Sequence, residues 1–311
     1  MDFQSINKGL SSKLRARGYA ARVIPIHRLE NLKDEIEHHY QQGMFNAQFF
    51  QERLAHFDFD QPIDMPEAKS IIIVAIPSPQ IGVLFHWNGE SKTLILPPTY
   101  VGYSTLPVKM EILVNEVLNP MGYRAMKTLN LPIKPLAVHS RLAEYGRNNI
   151  TYVEGMGSFH HLFTFYSDMP CEQDDWREMK MLERCAHCRA CIIKCPTGAI
   201  GEDRFLLRAE RCLSFHNEKL ADVPFPAWID SSWHNSIYGC MLCQRYCPED
   251  KKFKDWVETR AEFSLEETAL LLGHSSNDSL SAAIMEKLDR LELIESLDVL
   301  PRNLGVLLNR E

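Results

Sequence analysis

The apolar positions along the chain change period several times, and each change marks an element. Over residues 5–19 and 29–56 they recur at intervals of three and four, the spacing that gathers them on one side of a helix. The run SIIIVAIP at 70–77 is apolar without interruption and ends at a proline, which predicts a buried strand. At 107–118, PVKMEILVNEVL puts proline in the first turn of a helix and keeps Val108, Ile112, Leu113 and Val117 near one face. Aromatic and β-branched residues crowd 148–167 around Gly155 and Gly157, predicting one or two strands joined by a turn. From 263 to 309 the pattern is helical. Ser264 and Glu267 form a capping box at its start, followed by Leu265, Leu270, Leu271 and Leu272. The first half therefore reads as α/β.

A length of 311 residues suits two compact units or one core with an appendage. Hydrophobic residues at 45% and charged residues at 24% exclude a disordered or fibrous chain. The apolar runs, such as Ile71 to Ile76, fall far below the roughly 20 residues of a membrane-spanning helix. The first twenty residues lack the roughly 7 to 15 apolar residues of a secretory signal, so a cytoplasmic location with no membrane partner is expected. With 34 basic and 41 acidic residues the net charge is −7, and no Lys/Arg-rich run supports a large nucleic-acid footprint.

The cysteines carry the chemistry. Of nine, Cys171 stands apart and eight lie between Cys185 and Cys247, a crowding that in a cytosolic chain points to metal or redox work rather than disulfides. Residues 185–196, CAHCRACIIKCP, have the C-x2-C-x2-C-x3-C-P spacing that holds a [4Fe-4S] cluster and lends its last cysteine to a second one. The second run is CMLCQRYCP at 240–248, with Cys212 upstream as the missing ligand. One cluster is assigned to Cys185, Cys188, Cys191 and Cys247, the other to Cys195, Cys212, Cys240 and Cys243. Structural zinc also takes C-x2-C pairs, but two zinc sites would rarely share this spacing. Cys171 is read as a small buried hydrophobe.

These motifs resemble the epoxyqueuosine reductases, iron-sulfur and cobalamin enzymes related to the reductive dehalogenases. The resemblance runs nearly end to end, through PEAKSIIIVAIP at 66–77, PLAVHSRLAEYGRNNI at 135–150, GSFHHLFTFYSDMP at 157–170, AERCLSFHNE at 209–218 and IYGCMLCQRYCP at 237–248. FSLEETALLLG at 263–273 and PRNLGVLLN at 301–309 are similar to pieces of that family's helical tail. It implies a nitroreductase-like, cobalamin-binding α/β domain over 1–170, a ferredoxin-like two-cluster domain over 171–255 and a helical tail over 256–311. It also implies electron flow from the outer cluster through the inner one to cobalt, which deoxygenates an epoxide carried on tRNA. By the same resemblance His139, Arg141, Tyr145, Arg147, Gly157, Ser158, His160 and His161 border a corrinoid or substrate cavity.

Two segments depart from the family. Its Asp-Ser-Ala-Pro, with the proposed proton donor, is here Leu129, Asn130, Leu131 and Pro132, and its Ala-Gly-Leu-Gly-Trp loop is Ser140, Arg141, Leu142, Ala143 and Glu144. Glycine allows close backbone approach to a ligand, which Arg141 and Ala143 obstruct. From these departures we expect an iron-sulfur oxidoreductase whose substrate is not epoxyqueuosine and whose partner is not tRNA. Such an enzyme takes electrons from a ferredoxin or flavodoxin, holds two [4Fe-4S] clusters and cobalamin, and acts on a small molecule or a corrinoid-carrying protein. A corrinoid-free electron-transfer protein is the second reading, and a genuine tRNA epoxyqueuosine reductase the third. No residue is assigned as catalytic.

Overall fold

A computed structural model describes residues 3–274 and 280–309, with side chains from residue 9 onward. Residues 275–279 of the expected tail lie outside it. The strands in chain order are β1 (Ala20–Pro25), β2 (Ser70–Pro77), β3 (Gln80–Trp87), β4 (Glu90–Leu96), β5 (Ala125–Lys127), β6 (Ala143–Tyr145), β7 (Thr151–Val153), β8 (His160–Ser167) and β9 (Val257–Phe263). The chain divides into two units. The first comprises Met1–Pro77, Ser104–Arg189 and Asp203–Leu207; the second comprises Ser78–Tyr103, Ala190–Glu202 and Arg208–Glu311. This differs from the consecutive division expected from sequence, because the β3–β4 hairpin pairs with β9 rather than with the sheet around β2.

The first unit is built on a sheet of order β1-β2-β8-β5 in which every pair is antiparallel. The uninterrupted apolar run of β2 is explained by covering on both faces. Ile71, Ile73 and Ala75 point into one core with Leu29, Leu32 and Leu136, while Ile72, Val74 and Ile76 point into another with Leu10, Leu14, Met110 and Val114. At roughly 1.5–3 kcal/mol for each large apolar side chain fully buried, this strand anchors the unit. Helix Arg28–Gln41 ends at Gly43, whose φ of 66° stops it, and a separate helix, Ala47–Arg53, starts where Asn46 accepts from the Phe49 amide at 3.0 Å. The single helical pattern over 29–56 is therefore two helices. Helix Thr105–Leu118 forms, but it buries Met110, Val114, Val117 and Leu118, leaving Val108 and Ile112 exposed. The buried stripe at i, i+4, i+7 and i+8 competed with the expected one and won, because it faces β8 and β5 residues such as Phe165 and Ala125.

In the second unit β3 and β4 turn through Asn88 and Gly89, with φ of 50° and 77°, a two-residue hairpin that only such residues accommodate cheaply. β9 adds parallel to β3, and Phe263 stacks on Phe85 at 5.1 Å. Helices Leu265–Gly273, Ala282–Arg290 and Leu300–Leu308 cover this sheet through Leu271, Ile284, Leu288, Leu304 and Leu307. The tail therefore begins with a strand, and of its first leucines Leu271 is buried while Leu265 and Leu270 are exposed. The capping box forms as expected: Glu267 N donates to Ser264 Oγ, and Ser264 N to Glu267 Oε2. No helix among the described residues is long and apolar enough to cross a membrane.

Candidate iron-sulfur site and the cavity residues

The segment 190–202 and the segment from 208 to 255 hold little regular structure, and what exists serves the cysteines. Helix Ala190–Lys194 ends at Cys195-Pro196, and Gly198, at φ 64°, returns its amide to the Cys195 carbonyl. Arg208 N bonds Ala199 O, bringing the chain back so that Cys212 opens helix Leu213–Asn217. Cys240 precedes helix Leu242–Arg245, which carries Cys243.

Cys195, Cys212 and Cys240 lie near enough for each thiol to feel the next. Burial first, and then the neighbouring Cys212 and Cys195, push the Cys240 thiol up to about 12 against the lowering effect of the Asn235 hydrogen bond. Cys212 is raised for the same two reasons, burial first and Cys195 after it. Polar groups reach these sulfurs: Asn235 Nδ2 donates to Cys240 Sγ at 3.2 Å, and Thr197 Oγ1 shares a hydrogen bond with Cys195 Sγ at 3.4 Å. The amides of Ser214 and Phe215 serve Cys212. Half-buried thiols converging under polar groups fit an iron-sulfur cluster, whose iron takes them as thiolates and whose potential such hydrogen bonds set. Three cysteines of the second ligand set are thus brought together. In the first set, Cys185 and Cys188 lie in the first unit, and Cys191 and Cys247 in the second.

Residues without a motif brace this site. Asn235 Oδ1 accepts from the Met241 amide at 2.8 Å. Asn217 Nδ2 donates to Gly239 O at 2.7 Å, and Asn303 Nδ2 to Asn217 O and Ile237 O at 3.0 Å each. The Tyr100 hydroxyl donates to Glu218, and its ring fills the space where a Cβ on Gly239, at φ 74°, would stand. Burial and the Glu218 carboxylate hold that phenol protonated. No spacing rule pointed to them; an Asn or Tyr acting through one hydrogen bond leaves no periodic trace. Cys171 packs against the first unit's core with its thiol raised to about 12, chiefly by burial, in keeping with a structural role.

His139 lines a cavity of 510 Å³ with Glu35, His39 and Trp176. Arg141 is exposed and donates from Nε to Asp175 O at 3.1 Å. Tyr145 is in the core against Phe205. Arg147 donates to Cys185 O at 2.9 Å. Gly157 turns the chain at φ 58°, and Ser158 is buried behind it. His160 is committed on both nitrogens: Nδ1 donates to Gly157 O at 3.0 Å, and Nε2 accepts from Thr151 Oγ1 at 3.1 Å. Its buried ring is held neutral, with a pKa lowered to about 4 chiefly by burial. His161 is buried and stacked on Phe163. Arg141, Arg147 and His160 thus each have a protein partner in the first unit.

The departures from the family pattern look different in three dimensions. Arg141, in place of a glycine, still adopts φ 62°, so the loop keeps a glycine-like backbone. Asn130, beside the missing acid, has φ 52°, and its carbonyl accepts from the Asp58 amide at 3.0 Å.

Residues 184–250 match the family described as a 4Fe-4S double cluster binding domain. The chain is 24% identical over 231 residues to an epoxyqueuosine reductase of Staphylococcus aureus, covering 71% of this chain and 58% of that protein. It is 35% identical over 131 residues to the Escherichia coli epoxyqueuosine reductase, covering 42% of this chain and 32% of that one. These matches span less than two thirds of either relative. A crystal structure of an epoxyqueuosine reductase with an epoxyqueuosine-modified tRNA-Tyr stem loop shares the fold, with a TM-score of 0.69 at 18% identity over 98% of this chain and 81% of that one. The resemblance to epoxyqueuosine reductases therefore holds, with a double [4Fe-4S] domain. These relatives overturn the expectation of a substrate other than epoxyqueuosine and of no role for tRNA. That expectation rested on two short segments.

Proposed function

We propose that the chain is an iron-sulfur reductase that removes the epoxide oxygen of epoxyqueuosine in tRNA, with electrons entering through two [4Fe-4S] clusters from a ferredoxin- or flavodoxin-type donor. The convergence of Cys195, Cys212 and Cys240 under sulfur-directed donors carries this reading, because it gives the chain the electron-delivering half of the chemistry that its relatives are named for. The ligand sets are those of the sequence, with Cys185, Cys188, Cys191 and Cys247 as the other four. Reduction of an epoxide consumes two electrons and two protons, and the oxygen leaves as water; two one-electron clusters match that count. Asp58, whose backbone amide bonds the Asn130 carbonyl, is the carboxylic acid we propose as the proton source.

A nitroreductase-like first unit and a bound cobalamin belong to this proposal by likeness alone. Cobalamin would supply a low-valent cobalt nucleophile, and it is tested separately. The function is tested by expressing the chain in a strain unable to reduce epoxyqueuosine and analysing tRNA nucleosides by mass. Queuosine should appear with the parent chain and be lost with Cys240→Ser. Persistent epoxyqueuosine with soluble, cluster-loaded protein would refute the reading. Anaerobic titration with hydroxocobalamin, followed by the Co(II) paramagnetic signal, decides the corrinoid: a saturable base-off signal supports it, and none with about eight irons retained removes it.

A further inference from the structure

We propose that Glu35, His39 and His139 form a binding site for a divalent first-row transition-metal ion in the 510 Å³ cavity of the first unit, separate from the iron-sulfur cysteines. This inference does not depend on the reductase reading.

The argument starts at His139, the last residue of helix Ile133–His139, whose side chain is 3% exposed. Its Nδ1 lies 2.6 Å from the carbonyl oxygen of Arg177. A carbonyl only accepts, so Nδ1 carries the hydrogen, and the lone pair of a neutral ring sits on Nε2. No hydrogen bond of sound geometry reaches that Nε2, and Glu35 Oε2 lies 2.9 Å away. A lone pair and a carboxylate face each other in a largely buried place, an arrangement that a cation between them makes favourable.

The surroundings have the form of a metal site. A metal-ligating imidazole characteristically gives its other N–H to a carbonyl or carboxylate, which fixes the ring. Here the carbonyl of Arg177 does so, and Trp176 stacks on the ring at 4.2 Å with planes 4° apart. Trp176 is held in turn by Arg28, which is paired with Asp174 at 2.6 Å. Two ligands each about 2.0–2.1 Å from a tetrahedral ion stand about 3.3 Å apart, so the pair at 2.9 Å has to open by a few tenths of an ångström to admit one. Glu35 and His39 are one helical turn apart on helix Arg28–Gln41 and both line the cavity, so His39 is the natural third ligand. Two imidazoles and one carboxylate are a donor set for zinc, iron(II) and their neighbours rather than for calcium or magnesium.

Charge does not oppose the ion. The Arg177 guanidinium is turned to the carbonyls of Val138 and Ala143 and to Glu144, and Glu178 adds a second carboxylate to the cavity wall. Among the described residues no three such groups stand in ligating geometry as they are, so the half-buried His39 ring must rotate inward to complete the site.

Zinc is the probe, being redox-inert beside the clusters. Anaerobic calorimetric titration of the full, cluster-loaded chain should show one zinc site, with the iron-sulfur absorption unchanged. Glu35→Gln and His39→Ala should each weaken it by roughly tenfold or more. His39→Ala changes a half-buried residue outside the core, so its fold is retained even if that of His139→Gln is not. Zinc binding of equal strength in parent and His39→Ala protein would place the metal elsewhere and overturn the proposal. Absence of binding in the parent would overturn it too, making the bridging cation a proton.

Discussion

Asn235 has no motif to announce it, yet one side chain gives a hydrogen to Cys240 Sγ and takes one from the Met241 amide. Hydrogen bonds to cluster sulfur favour the more negative, reduced state. Asn235→Ala should therefore lower the potential of one cluster and leave the other unchanged, which redox titration followed by electron paramagnetic resonance would show. Arg141 offers a second test. Its left-handed backbone costs an L-residue roughly 1–2 kcal/mol, partly offset in glycine by the entropy of the unfolded chain. Arg141→Gly should therefore leave thermal stability unchanged or raise it by up to about 1 kcal/mol, whereas glycine at a helical arginine would lower it. Asp58 tests the chemistry. Asp58→Asn should slow queuosine formation by roughly a hundredfold or more, the usual contribution of a general acid, with iron content unaltered; an unchanged rate would assign the proton elsewhere. His160 carries a pH signature. Its folded pKa, about 4, lies below the ordinary 6.5, so the unfolded chain takes up the proton first and stability falls as pH drops from about 6.5 toward 4. Replacing it with Gln should flatten that part of the melting-temperature profile.

Among the elements, those whose sequence pattern had no competitor were legible. β2 was clear because a run of isoleucines is buried whichever face it turns. The Ser264–Glu267 box was clear because its two hydrogen bonds are local. Helix Thr105–Leu118 was placed correctly but rotated wrongly, since both its stripes are apolar and only the sheet beneath chooses between them. β9 was missed: VETRAEF is charged on its exposed side and pairs with a partner far away in the chain. The cysteine spacing gave the chemistry of the site, but not Asn235, Tyr100 or Asn217, which act through single contacts that no period encodes. The capping box also has a measurable consequence. The Glu267 carboxyl is below its ordinary 4.5: burial opposes ionisation, but hydrogen bonds from Lys287, at 2.6 Å, and from the Ser264 amide outweigh it. The stabilisation is present above the ordinary value and is lost as pH falls through the lowered one. Parent and Glu267→Gln chains should thus differ in melting temperature at neutral pH and converge in strong acid.

At the scale of the whole molecule, each cysteine run is expected to lend a ligand to the other, so a single change should act away from its own motif. Cys195→Ser should abolish the cluster of Cys212, Cys240 and Cys243 while sparing the one that holds Cys185, Cys188 and Cys191; loss of the latter alone would refute the sharing. The parallel pairing of β3 with β9 bears on the order in which the chain matures. Gln80 Nε2 bonds the carbonyl of Lys254, 174 positions later, and the register continues from Val257. At a synthesis rate of roughly 5–20 residues per second, β3 waits about 10–35 s on the ribosome for its partner. During that interval every cysteine from Cys185 to Cys247 emerges before the sheet can close. The nascent chain thus offers its thiols to the cell's cluster-assembly machinery while one of its own sheet edges is still open.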